Sequence, residues 1–344
     1  MRHVGILTGG GDAPGLNAVI RAVVKYGVGQ KGRLLSGVED SFDGLVSDPL
    51  RVRRLVPRNC GGLLSRGGTV LGTTNRGDPF RWRDGLDHAA DVRRSLDRLG
   101  IEGLIVVGGD GSMRIADRLT REHGIPVVGV PKTIDNDLGA TDLTFGFQSA
   151  VDCVADALDR LHTTAESHDR CIVVEVMGRD AGFIALHGGI AGGADVILVP
   201  EIPWDIRRIC HKLEQRRALG RPFSLVVVAE SARPVGTDEA RGRAAQMVAD
   251  ALADAEPETD VRVTVLGHLQ RGGSPDAFDR VLATRFGVCA VDLVESGAWG
   301  QLVALRDGKV LGVPLADAVR ANRRVEPDGE LVRVARAVGV ELGG

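Results

Sequence analysis

Aromatic side chains are scarce in this sequence, where Phe, Trp and Tyr make up 3% of the 344 residues. Neither sign of charge is in large excess, because 43 lysines and arginines face 46 aspartates and glutamates, and the basic residues form no run. Proteins that bind nucleic acid usually combine a basic surface with aromatic rings on which bases stack. We therefore expect no nucleic-acid partner.

Cysteine is also sparse, and the apolar runs are short. The five cysteines include no CxxC pair, which argues against a disulfide framework and against a zinc site. Reduced thiols are usual in the cytosol, so we expect a cytoplasmic protein. No apolar stretch approaches the ~20 residues needed to cross a membrane, and we expect no membrane partner.

Glycine, by contrast, is abundant, with 47 residues that concentrate in loops after short apolar runs. These apolar runs alternate with amphipathic helical patterns along the whole chain. The alternation predicts an α/β fold with mainly parallel sheets, which are buried on both faces. In such sheets ligands bind beyond the carboxyl ends of the strands.

The first glycine loop follows a predicted strand at 4–8. Gly9, Gly10 and Gly11 lead into a helix that begins near Pro14. Glycines at a strand-to-helix turn leave backbone amides at the positive end of the helix dipole, where anions bind. The loop lacks the GK[ST] sequence of a Walker A motif. An anion site and a merely tight connection both fit this pattern.

A second glycine turn lies at the centre of the chain, between predicted strands at 104–107 and 127–130. A carboxylate among glycines at the end of a buried strand suits Mg²⁺, which keeps most of its waters and needs few protein oxygens. Neighbouring glycines let a phosphate lie against backbone amides. The residues of this turn are Gly108, Gly109, Asp110, Gly111 and Ser112.

An acidic loop with the sequence PKTIDND follows at 131–137. If this loop is extended, Thr133, Asp135 and Asp137 point to one side, because side chains alternate along an extended chain. A hydroxyl and two carboxylates on one edge suit phosphoryl transfer to an alcohol, in which one carboxylate accepts the proton. A turn stabilised by Asx hydrogen bonds is the alternative.

Cationic side chains accompany the later strands. Each alone is more often a surface or structural cation, but together they suit a phosphorylated substrate, since guanidinium groups bind phosphate through two hydrogen bonds. Glu230 ends an apolar strand and could accept hydrogen bonds from sugar hydroxyls. The cations are Arg170, Arg179, Arg262, His268 and Arg271.

Seven motifs together resemble the 6-phosphofructokinase family of bacteria. They occur in the family's order and cover nearly the whole chain. The motifs are TGGGDAPGLNAVIR at 8–21, GGDGS at 108–112, PKTIDND at 131–137, SHDR at 167–170, EVMGR at 175–179, VAE at 228–230 and GHLQRGGSP at 267–275.

This resemblance implies two lobes, each a mainly parallel sheet flanked by helices, with the active site in the cleft between them. The donor-binding lobe is expected at 1–146 plus 268–321, and the lobe that binds fructose 6-phosphate at 147–267 plus 322–344. The implied reaction transfers a phosphoryl group to the 1-hydroxyl of fructose 6-phosphate, a step of glycolysis. A homotetramer is also implied, in which Arg170 and Arg262 complete the site of a neighbouring subunit.

The resemblance also implies a role for each site residue. Asp135 would be the base, Asp110 would hold Mg²⁺, and Gly11 and Arg179 would stabilise the charge of the transferred group. The donor would meet Gly11, Arg76, Gly108, Gly109, Asp110, Gly111, Ser112 and Lys132. Fructose 6-phosphate would meet Thr133, Asp135, Asp137, Arg170, Met177, Gly178, Arg179, Glu230, Arg262, His268 and Arg271.

Two positions disagree about the phosphoryl donor. Gly111 resembles the ATP users, since pyrophosphate users carry an aspartate there that would repel the α-phosphate of a nucleotide. Lys132 resembles the pyrophosphate users. Steric exclusion favours ATP, and pyrophosphate is the alternative; Asn75 stands where ATP users carry an arginine, which weakens the donor role of Arg76. A non-catalytic sugar-phosphate sensor is a further alternative.

Overall fold

The computed structural model describes residues 3–237 and 243–344. Strands and helices alternate along both ranges, and most neighbouring strands are parallel, which confirms the predicted α/β class. No helix in these ranges is both long and apolar enough to cross a membrane.

The chain divides into two compact units. The first unit comprises the chain up to Thr133, Asp137–Ser149 and Arg271–Asn322, and the second comprises Ile134–Asn136, Ala150–Gln270 and Arg323–Gly344. The assignment of donor binding to one lobe and of fructose 6-phosphate binding to the other stays a prediction.

The strands are numbered along the chain. They are β1 (His3–Gly9), β2 (Leu34–Val38), β3 (Val52–Arg54), β4 (Gly103–Gly108), β5 (Val127–Pro131), β6 (Cys171–Val176), β7 (Val196–Leu198), β8 (Ser224–Ala229), β9 (Val261–Val265), β10 (Gln301–Arg306) and β11 (Lys309–Pro314).

The helices follow the same numbering. They are α1 (Leu16–Val23), α2 (Asp43–Val46), α3 (Ala89–Leu99), α4 (Asp110–His123), α5 (Phe147–His168), α6 (Phe183–Ala191), α7 (Ile206–Ala218), α8 (Ala244–Ala255), α9 (Ala277–Ser296), α10 (Leu315–Ala318) and α11 (Glu330–Ala337).

The first unit is built on a seven-stranded sheet with the order β11-β10-β5-β4-β1-β2-β3. Its central strand β4 is buried along its whole length. Ile105 belongs to the apolar cluster that includes Phe286 of α9, whereas Leu104 and Val106 belong to the cluster that includes Met113 of α4. Alternate side chains of β4 therefore support helices on opposite faces, as its uninterrupted apolar sequence predicts.

The strand register of this sheet brings three loops to one edge. Gly9 at the end of β1 pairs with Gly108 at the end of β4, and Gly108 pairs with Pro131 at the end of β5. All three strands are parallel and end at the same level. The two glycine loops and the start of the acidic loop therefore leave the sheet side by side.

The second unit is built on a four-stranded parallel sheet with the order β7-β8-β6-β9. Strands β6 and β8 are fully buried. Strand β9 lies at the edge and is only partly covered. The ends of β6 and β8 are level, because Val176 pairs with Ala229, so the turns that follow these two strands are neighbours.

Candidate active site

The first glycine loop of the first unit is held by Thr73 and Thr74, which lie just before the predicted donor residue Arg76. Gly10 has φ +78°, in the left-handed region, and its N–H donates to the carbonyl of Thr74 at 3.2 Å. The hydroxyl of Thr73 donates to the carbonyl of Gly10 at 2.5 Å. Arg76, two residues beyond Thr74, is exposed. Its predicted contact with the donor stays a prediction.

The hydroxyl of Ser112 explains why glycine is required at the ends of β1 and β4. A Cβ on Gly9 would lie 2.6 Å from Ser112 Oγ, and a Cβ on Gly108 would lie 2.5 Å from the same atom. Both distances are shorter than real Cβ contacts. Ser112 thus packs between the two glycine loops, and the glycines serve this packing as well as any approach of a phosphate.

Gly111 occupies the first turn of α4 and has open space around it. A Cβ on this residue would meet no atom of the described chain within 4 Å. The glycine is therefore not required by packing. The predicted nucleotide would be accommodated in this space.

Asp110 opens α4 and is tied to the next turn of that helix. Arg114 Nε donates to Asp110 Oδ1 at 2.8 Å, and the side chain of Asp110 is 15% exposed. No group of three or more His, Cys, Asp or Glu side chains that could hold a metal occurs in the described residues. A single carboxylate fits Mg²⁺ that keeps most of its waters and shares phosphate oxygens, but it does not fit a metal caged by protein.

Lys132 connects the three loops at this edge. Its backbone N–H donates to the carbonyl of Gly108 at 2.9 Å, and its ammonium donates to the carbonyl of Gly11. A Cβ on Gly10 would lie 3.5 Å from the same ammonium nitrogen. The lysine is buried, and its ammonium group lies directly beside the first glycine loop.

The acidic loop is not extended throughout, although an extended loop was the condition for placing its three polar side chains on one side. Asn136 has φ +53°, in the left-handed region, so the alternation of side chains breaks before Asp137. Thr133, Asp135 and Asp137 are all buried. Asp137 Oδ2 accepts a hydrogen bond from Asn322 Nδ2 at 3.1 Å, which anchors the end of the loop.

Arg271 lies against the first glycine loop, in the first unit. Its Nη1 donates to the carbonyl of Asp12 at 3.2 Å, and a Cβ on Gly11 would lie 2.8 Å from the same nitrogen. The structure thus brings this predicted substrate cation beside a predicted donor residue. A side chain at position 11 would displace the guanidinium from this place.

The turn after β6 carries the predicted sugar contacts of the second unit. Gly178 and Arg179 both have positive φ, 144° and 53°. A non-glycine residue in this region is strained by roughly 1–3 kcal/mol. Glu230 Oε1 accepts the N–H of Arg179 at 2.7 Å and that of Gly178 at 3.2 Å, so this carboxylate holds the turn that presents the exposed Arg179.

Gln270 is a further residue of this group that the sequence analysis did not identify. Its Oε1 accepts the N–H of Met177 at 3.3 Å, and its Nε2 donates to the carbonyl of Gly267 at 3.1 Å. The side chain is buried. The glutamine thus fixes the start of the turn to the short helical segment that carries the exposed His268.

Arg170 and Arg262 meet at the edge of the second sheet. Arg170 Nε donates to Asp260 Oδ2 at 2.9 Å, and Arg262 Nη1 lies 2.7 Å from Asp260 Oδ1. The hydrogen bond from Arg170, with the charge of Arg262, lowers the pKa of the Asp260 carboxyl. One carboxylate thus holds both predicted phosphate-binding arginines close together.

Comparisons with known proteins show the family of the chain. The phosphofructokinase family model matches residues 3–294. An ATP-dependent 6-phosphofructokinase of Chloroflexus aggregans is 50% identical over 99% of this chain and 98% of its own length. A pyrophosphate-fructose 6-phosphate 1-phosphotransferase of Streptomyces coelicolor is 50% identical over 94% of this chain and 96% of its own length. The solved phosphofructokinase of Saccharomyces cerevisiae is 34% identical, with a TM-score of 0.82 over 93% of this chain and 45% of the yeast chain.

The fold is that of an α/β protein. The level ends of β1, β4 and β5 place glycine loops of the kind that bind phosphate at one edge of its sheet. The chain belongs to the phosphofructokinase family, as the motifs predict. The predicted enzyme class, a phosphotransferase, is thereby confirmed.

Proposed function

We propose that the chain is an ATP-dependent 6-phosphofructokinase. It transfers the γ-phosphoryl group of MgATP to the 1-hydroxyl of fructose 6-phosphate and yields ADP and fructose 1,6-bisphosphate, a step of glycolysis. Relatives named ATP-dependent 6-phosphofructokinase, which match nearly the whole chain at 45–50% identity, support this function.

The observation that carries the proposal is the level ending of three parallel strands. Because Gly9, Gly108 and Pro131 share one register, backbone amides, the carboxylate of Asp110 and the ammonium of Lys132 gather at one edge. Amides at helix N-termini and cations both favour a polyphosphate. A phosphorylated donor is therefore the ligand that this edge suits best.

In the proposed reaction, the 1-hydroxyl oxygen attacks the γ-phosphorus and the bond to the bridging oxygen of ADP breaks. Asp135 accepts the proton that the hydroxyl loses. The amide of Gly11 and the guanidinium of Arg179 stabilise the charge that spreads over the transferred group. The hydrogen bonds that the turn donates to Glu230 keep Arg179 in position for this task.

Asp110 is the residue that we propose to hold Mg²⁺. When bound, the ion would neutralise charge on the donor phosphates. Arg114 already uses one oxygen of Asp110, so the carboxylate has to share or exchange this partner when it meets the ion. Gly108, Gly109 and Ser112 form the turn on which the donor phosphates would lie.

The sugar is proposed to bind through the second group of residues. Met177, Gly178 and Glu230 line the fructose, Thr133 and Asp137 orient it, and the cations bind its 6-phosphate. We propose a homotetramer in which Arg170 and Arg262 serve the site of a neighbouring subunit, while His268 and Arg271 act within their own chain. Arg262 lies on β9, the edge strand of the second sheet, and Asp260 holds Arg170 beside it, which supports such sharing.

Pyrophosphate is the second candidate donor, and Lys132 favours it. Its buried ammonium beside Gly11 suits a small, highly charged donor, and the Streptomyces relative bears a pyrophosphate-dependent name. The open space at Gly111 favours ATP, because it leaves room for a nucleotide where aspartate would place a charge. We give this space more weight, since an added lysine does not exclude ATP.

Turnover tests the proposal directly. Purified protein is supplied with fructose 6-phosphate and MgATP, and ADP release is followed in a coupled assay. Pyrophosphate replaces ATP in a parallel cuvette. Turnover with ATP confirms the proposal, turnover with pyrophosphate alone establishes the second donor, and turnover with neither would leave the non-catalytic sensor.

A further inference from the structure

A cavity of about 390 Å³ lies in the second unit, between α6 and the segment 323–332. None of the predicted site residues lines it. Its volume falls in the range of pockets that bind small metabolites. The wall combines apolar side chains, Phe183, Leu186 and Val325 among them, with charged ones.

The charged part of the wall favours an anion. Arg323 and Arg324 both line the cavity, and Arg323 stacks over the ring of Phe183 at 5.3 Å from its centroid. Such stacking fixes the plane of the guanidinium, which then offers a rigid set of donors to a phosphate. The first turn of α11, which opens at Glu330, lies in the same wall and adds a weaker preference for negative charge.

Other polar groups of the wall restrict the class of anion. Burial and the neighbouring charge of Arg323 lower the pKa of His187. Its imidazole is therefore neutral near pH 7 and can donate one hydrogen bond and accept another. Glu326 and Glu330 also line the cavity. These carboxylates oppose a bare anion but accept hydrogen bonds from hydroxyl groups. A ligand with a phosphate at one end and hydroxyls at the other satisfies both sets.

The cavity is connected to the turn that carries Arg179. Glu201 Oε1 accepts the N–H of Val325, in the cavity wall, at 2.8 Å, and the N–H of Gly182 at 3.0 Å. Gly182 is the N-cap of α6 and ends that turn. A Cβ on Gly182 would lie 2.5 Å from the side chain of Val199, so this junction has little freedom to rearrange independently.

We propose that this cavity binds a small phosphorylated polyol, such as a sugar phosphate, and that the bound ligand acts through Glu201 on the turn that carries Arg179. Binding at the cavity is independent of the proposed kinase activity. The effect on turnover rests on that activity. Arg179 is the group through which the two sites communicate.

Isothermal titration calorimetry tests the binding. Ribose 5-phosphate, ribose and inorganic phosphate are titrated into the wild-type protein, into Arg323→Gln/Arg324→Gln and into Arg333→Gln, an exposed arginine of α11 outside the cavity wall. We expect ribose 5-phosphate to bind the wild type and the Arg333 variant alike, and the double variant at least tenfold more weakly. Inorganic phosphate should bind more weakly than ribose 5-phosphate, and ribose should give no heat.

Equal affinity of ribose 5-phosphate for the double variant and for the Arg333 variant would overturn the site, as would the absence of heat in the wild type. Circular dichroism melting checks that each variant folds. If the double variant does not fold, Arg324→Gln alone, at the more exposed of the two positions, is measured against the same control.

Turnover tests the connection. Ribose 5-phosphate should change the kcat of the wild type at least twofold. Glu201→Met, which has no oxygen to accept the N–H groups of Gly182 and Val325, should still bind it but show no such change. A change of kcat that persists in Glu201→Met would overturn the route through Glu201. Because calorimetry needs no turnover, an inactive protein would refute the proposed kinase function without bearing on the cavity.

Discussion

The ammonium of Lys132 donates a hydrogen bond to the carbonyl oxygen of Gly11, 121 residues earlier in the chain. Lys132 is 3% exposed. Its backbone N–H also bonds Gly108, so one residue links both glycine loops to the acidic loop. A buried charge in this position acts on any phosphate that lies on the first glycine loop, whether that phosphate belongs to ATP or to pyrophosphate.

Lys132→Met keeps most of the apolar stem and removes the charge. We expect kcat/KM to fall about 10- to 100-fold with either donor, because hydrogen bonds to charged groups contribute about 1.5–3 kcal/mol. Steady-state assays with ATP and with pyrophosphate measure the two losses. Lys309→Met, at an exposed position of β11, should change neither. A loss confined to pyrophosphate would show that Lys132 does not serve ATP.

Gly111→Asp tests the space at the start of α4. A Cβ meets nothing within 4 Å at this position, and an acidic residue is favourable in the first turn of a helix, so the variant should fold normally. We expect the fold loss of kcat/KM with ATP to be at least 100 times the fold loss with pyrophosphate. Gly61→Asp is the matched control, because Gly61 also has open space around it. Equal losses with both donors would refute the steric argument.

Asp135→Ser tests the proposed base. We expect kcat to fall about 10²- to 10⁴-fold with little change in the affinity for fructose 6-phosphate, since only the step that accepts the proton is lost. Steady-state kinetics gives kcat, and calorimetry gives the affinity without turnover. Unchanged kcat would remove Asp135 from the mechanism.

Mixed subunits test whether Arg170 and Arg262 act on a neighbouring chain. Arg170→Ala/Arg262→Ala and Asp135→Ser chains are each expected to be nearly inactive alone. If sites are shared, a hybrid of the two holds some sites with both an intact Asp135 and intact arginines. Turnover after the parents are unfolded together and refolded should then exceed the sum of the parents at least fivefold. A mixture no better than that sum would place these arginines in their own chain's site, or in none.

The sequence predicted the strands and glycine loops where β1, β4 and β5 end, because short-range patterns of apolar residues and glycines determine them. Strands β4 and β5 are continuous apolar runs, and glycine follows β1 and β4 directly. What local patterns cannot supply are contacts between distant segments. The bonds of Thr73 and Thr74 to the first glycine loop, of Gln270 to Met177, and of Glu201 to two separate amides all join residues far apart in the chain.

The acidic loop shows why an argument from alternation is limited. Thr133, Asp135 and Asp137 alternate in sequence, but the left-handed backbone at Asn136 changes the direction of the chain before Asp137. Asparagine adopts this conformation more easily than most residues. Asn136 is therefore a local sign that the loop does not stay extended, beside the aspartates that favour an Asx turn.

Asp279 provides a prediction for the pH dependence of stability. This carboxylate in the first turn of α9 is completely buried and accepts the N–H and the O–H of Ser149 at 2.8 and 2.6 Å. Burial nevertheless dominates and raises its pKa from 3.8 to about 6. Because the folded state holds the proton more tightly than the unfolded state, its contribution to stability is complete below about pH 4 and is lost as the pH rises through 6.

Asp279→Asn removes this titration and leaves an amide oxygen to accept from Ser149. The free energy of unfolding of the wild type, relative to that of the variant, should therefore fall by up to about 3 kcal/mol between pH 4 and pH 7, at about 1.4 kcal/mol for each unit of pKa shift. Urea unfolding of both proteins at four pH values across this range measures the difference. Asp254→Asn, at an exposed position of α8, should run parallel to the wild type throughout. A constant difference between wild type and Asp279→Asn would mean that this carboxyl group has an ordinary pKa in the folded protein.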